Sequence, residues 1–329
     1  KLQEKLDAGE ISAESLDSDR ACYESLLLSV GDELLSTVTS NHVSGAFIIL
    51  NTEDLDSVKQ RTEKPCLYLR DQNPAAILPD NADIVILRSP DRVSRTLGLT
   101  KSPASQTSFG YEDPVSQAFF YESFQRAYRA SLSGKTDEIA PYWSQQPYQL
   151  EGDNSIAMAY CVPLVLKDGT VVGVAGVDLL LDQIYHFLPS GQLLESEEST
   201  YLITCAYDAQ PSELVLIAGG GQFLNAATGD HLKITPLQIG GYGLMCNGRE
   251  FFAELYEMNP HAADSDENAL HWYLVGVVGM NEMFSFTNEI TNMTIVTLLL
   301  TMLVGIVSAI TVSRRLARPI SALATQVAD

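Results

Sequence analysis

At 329 residues, with 42 acidic against 20 basic side chains and a formal net charge of −22, the chain is long enough for one large domain or two modules of ordinary size. So acidic a surface argues against nucleic acid and against an anionic membrane surface as partners. Its five cysteines contain no Cys-x-x-Cys pair, which argues against a zinc centre.

Lys1 to about Asn41 reads as helix, with Leu16, Leu26, Leu27, Val30, Leu34, Leu35 and Val38 recurring at three- and four-residue steps. Gly9 interrupts this pattern and Ser40-Asn41-His42 ends it. Gly45 to Leu50, Cys66 to Arg70 and Ile84 to Arg88 are short apolar strands, each closed by polar or Pro residues. A helix from Pro114 to about Ser133 carries the stripe Ala118, Phe119, Tyr121, Phe124, Ala127 and Tyr128. An aromatic loop follows, with Tyr142, Trp143 and Tyr148. Ile156 to Leu166 and Thr170 to Val177 form a hairpin about Asp168-Gly169, a pair suited to a type I′ turn. Leu179 to Phe187 reads as helix. Beyond Gly191, strands are expected at Tyr201 to Ala206, Leu214 to Ala218, Phe251 to Tyr256 and His271 to Val278, with a weak helix around Asn225 to His231.

Ile290 to Ser313 contains no Asp, Glu, Lys or Arg. A helix of about 24 residues at ~1.5 Å per residue spans ~36 Å, enough for a ~30 Å hydrocarbon core. Arg314, Arg315 and Arg318 follow it, while Glu282 and Glu289 precede it. Basic flanks stay in the cytoplasm, so residues 1–289 are expected outside and the C-terminus inside. The sequence opens at Lys1 within a helical pattern, so an earlier membrane helix is expected before it. An odd number of cysteines in an external domain leaves one thiol free or paired between chains. Cys66, Cys161, Cys205 and Cys246 lie in apolar stretches and read as small core residues.

Catalytic motifs are absent: no Gly-x-Ser-x-Gly, no His-Glu-x-x-His and no Walker-type loop. The glycines at 219–221 and 239–243 lack the lysine of a phosphate loop and read as turns. The five histidines do not cluster. Asp264 to Asn268 lacks the spacing of a calcium loop and reads as a solvated acidic stretch. No cofactor and no metal are expected. Two features stand apart. The aromatic loop combines apolar rings with polar handles, which suits a small-ligand pocket. Asp178 closes a strand of Val, Gly and Ala. A carboxylate there is paired or faces a ligand cation, or it caps the helix starting at Leu179; both readings stand.

Pro141-Tyr142-Trp143, Pro147-Tyr148, Tyr160-Cys161-Val162-Pro163-Leu164 and Lys167 through Asp178 resemble the core of double-Cache sensor domains. These are bacterial extracytoplasmic sensors with two PAS-like modules on a long N-terminal helix. Trp272 to Val278 resembles the last strand of the membrane-proximal module, and Arg314 to Leu323 the opening of a HAMP linker. The resemblance implies an α+β fold: a long N-terminal helix (1–41), a membrane-distal PAS-like antiparallel-sheet module (42–188), a membrane-proximal one (189–288), a transmembrane helix (289–313) and the start of HAMP (314–329). It further implies a homodimeric receptor in a bacterial cell membrane that senses an amine or amino-acid-like small molecule. Asp178 would hold the ligand ammonium, and Trp143, Tyr148, Tyr142 and Tyr160 would wall the pocket. The amino-acid-binding version has an Arg two residues before the Trp. Here that position is Pro141, which argues against a standard α-amino acid, and Arg126 or Arg70 would have to supply the positive charge. The chain is expected to be a sensor and not an enzyme, its output domain being a chemotaxis bundle, a histidine kinase or a diguanylate cyclase. The rival expectation is an interaction ectodomain that senses through a partner protein.

Overall fold

The computed structural model describes residues 12–328 except 14–15, 42, 75–80, 145–146, 189–198, 207–210, 221–228, 239 and 259–270, and no side chains at 186–187, 286 and 316–328. In chain order the elements are α1 (Arg20–Asn41), β1 (Gly45–Leu50), β2 (Thr62–Lys64), β3 (Cys66–Asp71), β4 (Ile84–Arg88), α2 (Asp91–Leu97), β5 (Thr100–Gln106), β6 (Phe109–Tyr111), α3 (Ala118–Leu132), β7 (Tyr142–Trp143), β8 (Tyr148–Gln149), β9 (Ile156–Val165), β10 (Val171–Leu180) and α4 (Leu181–Phe187). A second group follows: β11 (Thr200–Ala206), β12 (Glu213–Gly219), β13 (His231–Pro236), β14 (Tyr242–Cys246), β15 (Arg249–Met258) and β16 (His271–Gly279). Then come α5 (Met280–Met283) and α6 (Ser285–Ala328).

The first group is a sheet between two helices. Strand order is β5-β4-β3-β1-β10-β9-β7, with β8 also on β9, antiparallel except for the β4–β5 pair. The apolar runs of β1, β3 and β4 are buried along their whole length, as expected where both sheet faces are covered. Ala46, Ile48, Leu50, Leu67 and Leu69 pack with Leu26, Leu27 and Val38 of α1. Phe47, Ile49, Tyr68, Val85 and Leu87 pack with Phe119, Phe120, Phe124 and Ala127 of α3. The period-two alternation of each strand thus assigns its residues to one helix or the other.

The second group is a closed antiparallel barrel, β11 to β16, filled by Leu202, Leu214, Leu216, Leu232, Leu244, Phe251, Val275 and Val277. The architecture is therefore the expected α+β arrangement of N-terminal helix, two antiparallel-sheet modules and a long C-terminal helix. Thr287–Arg315 is long and apolar enough to cross a membrane, and α6 runs on unbroken to Ala328.

Several local expectations are corrected. Residues 16–19 do not continue the helix. Leu16 is buried, Asp17 accepts hydrogen bonds from the Thr52 amide at 2.8 Å and hydroxyl at 2.9 Å, and Asp19 accepts from the Ala21 amide at 2.9 Å. That cap starts α1 at Arg20. Residues 1–11 of the expected helix and the acidic stretch at 264–268 lie outside the described residues. In the hairpin only Gly169 takes a positive φ, 88°, and Asp168 does not, so the turn is not type I′. A Leu166 amide to Thr170 carbonyl bond of 2.9 Å closes it instead. His231, expected to end a helix, opens β13, and Tyr242 to Cys246 adds a strand.

Candidate functional site

Asp178 does not cap a helix. β10 continues through it to Leu180, and α4 begins only at Leu181. The carboxylate is instead fully buried on the face of the sheet covered by α3, because its register partner on β9 is Ala159, a residue of that core.

β3 brings two side chains to the same place. Tyr68 and Arg70 are two positions apart, so they share a face. The Tyr68 hydroxyl donates to Asp178 Oδ2 in a short hydrogen bond, and Arg70 Nη2 reaches the same oxygen at 3.0 Å. Tyr148 from β8 completes the group, its hydroxyl 2.7 Å from that of Tyr68 and 3.3 Å from Asp178 Oδ2. Aromatic stacking fixes both phenols: Tyr68 lies on Phe47 with centroids 4.9 Å apart, and Tyr148 on Phe119 at 4.0 Å. Arg70 Nη2 also lies 3.5 Å from Asp153, in the loop between β8 and β9.

Two glycines make room for this group. A Cβ on Gly45, the β1 partner of Asp178, would lie 2.6 Å from Asp178 Oδ1, and one on Gly176 would lie 2.5 Å from the Phe47 ring. Burial pushes the Asp178 carboxyl above the usual aspartate range, opposed by the Arg70 guanidinium and the two tyrosine hydroxyls. Burial works against the Arg70 charge, but Asp178 and its neighbours outweigh it, so Arg70 stays a cation. The Tyr68 and Tyr148 hydroxyls are pushed up by burial and remain protonated donors.

The group is incompletely satisfied. Among the described residues, Asp178 Oδ1 and Arg70 Nε and Nη1 are buried without a hydrogen-bond partner. An acceptor that lacks a donor and guanidinium N–H groups that lack an acceptor each cost stability unless a further molecule supplies the partner. The free acceptor suits an ammonium, and each free donor a carboxylate oxygen.

Of the residues expected in the site, Tyr148 joins Asp178 directly. Tyr142 is on the same face, paired with Cys161, and is buried. Arg126 lies over the Tyr142 ring at 5.3 Å and pairs with Glu122 at 3.1 Å. It is an exposed rim residue on α3, and Arg70 is the cation at the carboxylate. Trp143 and Tyr160 do not join the cluster. They pair with each other, and Tyr160 pairs with Val177, so both project from the opposite face of the sheet to Asp178. Trp143 lies against Tyr160 at 5.3 Å, the rings tilted by 49°, and approaches Trp272 of the barrel at 6.3 Å. Tyr68 and Asp153 were not foreseen. The signal available for Tyr68 was its spacing from Arg70 in one strand.

No protein-family model matches the chain, and no curated protein matches it. Solved structures do. The ligand-binding domain of the Pseudomonas aeruginosa amino acid chemoreceptor PctC, in complex with GABA, is similar at 13% identity and a TM-score of 0.36, over 84% of this chain and 92% of that one. The ligand-binding domain of the Pseudomonas fluorescens chemoreceptor CtaA, with L-leucine, is similar at 14% identity and a TM-score of 0.39, over 86% and 90%. A methyl-accepting chemotaxis protein is similar at 14% identity and a TM-score of 0.39, over 76% and 81%.

Proposed function

We propose that the chain is the sensing part of a bacterial transmembrane receptor, and that Asp178 and Arg70 together take a small amino-acid-like zwitterion. The observation that carries this reading is the set of unsatisfied groups in one buried cluster: Asp178 Oδ1 as an acceptor for an ammonium, and the Arg70 Nε and Nη1 donors, which point to different sides, each able to meet one carboxylate oxygen. Tyr68 and Tyr148 hold Asp178 from its other oxygen. Asp178 is completely shielded, so a ligand that reaches it must displace part of its cover, and binding is thereby tied to a change of conformation. Residues 1–289 lie outside the cell in this reading, and α6 carries the signal to a HAMP linker beginning near Arg314.

The shielding of Asp178 and its existing ion pair with Arg70 favour one rival, a structural cluster in an ectodomain that senses through a partner protein. Calorimetric titration of the full chain in lipid nanodiscs separates them, using L-amino acids, primary amines and short carboxylates. A zwitterion that binds the wild type, is lost in Asp178→Asn and is weakened at least about tenfold in Arg70→Met supports the site. Equal binding in wild type and Asp178→Asn removes it.

A further inference from the structure

β9 is a single strand shared by two environments. Ala157, Ala159 and Cys161 face the core that holds Asp178. Between them, Met158 and Tyr160 point the other way. Met158 packs with Leu181 of α4 and with Cys205 and Ile217 of the barrel, and Trp272 packs against that cluster. Tyr160 meets Trp143 at a 49° tilt, and Trp143 in turn lies against Trp272 with centroids 6.3 Å apart and planes tilted by 54°.

The backbone beside Trp143 is locked to the site. Buried Ser144 donates its amide to the Ala159 carbonyl at 2.8 Å and accepts the Ala159 amide on its hydroxyl at 2.9 Å. Ala159 is the register partner of Asp178. At the far end, Trp272 is the second residue of β16, which ends at Gly279 and passes directly into α5 and α6. One strand's width separates Asp178 from the ring stack, and one strand's length separates the stack from the helix that can cross the membrane.

The geometry points to the Tyr160–Trp143–Trp272 ring chain, with Trp143 in the middle, as the coupling through which the state of the Asp178 cluster is passed to β16 and the membrane helix. This rests on the sensing function proposed above. The rings are large, close and held at fixed tilts, so a shift of β9 moves Trp272 or breaks ring contacts. A packed aromatic stack has discrete arrangements and does not deform smoothly.

The test uses the full chain in nanodiscs and needs no ligand. Trp143 and Trp272 are its two tryptophans, so exciton-coupled circular dichroism between indoles reports this pair alone. A couplet is expected in the wild type and is lost in Trp143→Phe. Asp178→Asn then perturbs the site, with Tyr148→Phe as the milder substitute should Asp178→Asn fold poorly. Hydrogen exchange in β16 is expected to change about threefold or more, the lower range for side chains in direct contact. In a Trp143→Leu background the β16 response is lost while β1 and β10 still respond. An unresponsive β16 in the otherwise wild-type chain, or an undiminished response in Trp143→Leu, overturns the coupling. Neither result bears on whether a zwitterion binds, which the titration decides.

Discussion

Asp178 is expensive to bury, and its neighbours offset only part of the cost. A carboxyl whose folded pKa is raised above its unfolded value, about 3.9, takes up a proton on folding. Its contribution to stability is therefore present at low pH and is lost as pH rises from the unfolded value through the raised one. Binding of a cation runs the other way, because it needs the carboxylate. Affinity of the full chain for a primary amine or zwitterion is expected to fall as pH drops through the raised Asp178 value, at a pH above the ordinary aspartate range. Calorimetry across pH checks this. Arg70→Met removes the charge that opposes the rise, so it should move the midpoint of the residual binding further up, and Asp178→Asn should leave no binding at any pH. A midpoint at or below the ordinary aspartate value would place the titrating group elsewhere.

Among the elements, β4 shows how a single side chain joins others. Arg88 is buried, with its guanidinium given to the carbonyls of Leu87 at 2.8 Å, Ala104 of β5 at 3.3 Å and Glu151 ahead of β9. A cavity of about 20 Å³ beside it has room for one water. Arg88→Met keeps the apolar stem and strands three carbonyls, so denaturant titration is expected to show a loss of about 2–4 kcal/mol. Most elements were legible in the sequence because their signal is local: the apolar runs of β1, β3 and β4, the stripe of α3, the hairpin of β9 and β10. The flanks of α2 were equally local, Pro90 before it and Gly98 in the left-handed region at φ 68° after it, yet its seven residues are too short for a periodic stripe to stand out. The site was legible only in part. Asp178 stands out as a carboxylate in an apolar strand and Tyr148 as part of an aromatic loop, but Tyr68 and Arg70 reach Asp178 from a strand more than a hundred positions away. Trp143 was misplaced because register sets its face, and a one-residue step in a strand turns a side chain to the other side of the sheet.

At the scale of the molecule, the helix from Thr287 to Arg315 is long and apolar enough to cross a membrane. Its side chains are exposed along the apolar stretch from Ile290 to Val312, a surface that water disfavours and a bilayer accepts. Threonines 291, 294, 297, 301 and 311 return their hydroxyls to carbonyls one turn back, so these polar groups enter the hydrocarbon already satisfied. Arg314 and Arg315 follow the stretch and no basic residue stands between Gly279 and Ile290, so the positive-inside rule predicts a cytoplasmic C-terminus. Cysteine labelling in intact cells with a membrane-impermeant maleimide checks this orientation, the native cysteines first being replaced. Asn281→Cys, just ahead of α6, is expected to label from outside, and Ser313→Cys only after the membrane is opened. The reverse pattern would put the Asp178 cluster in the cytoplasm, where it would meet a metabolite pool instead of the surroundings of the cell.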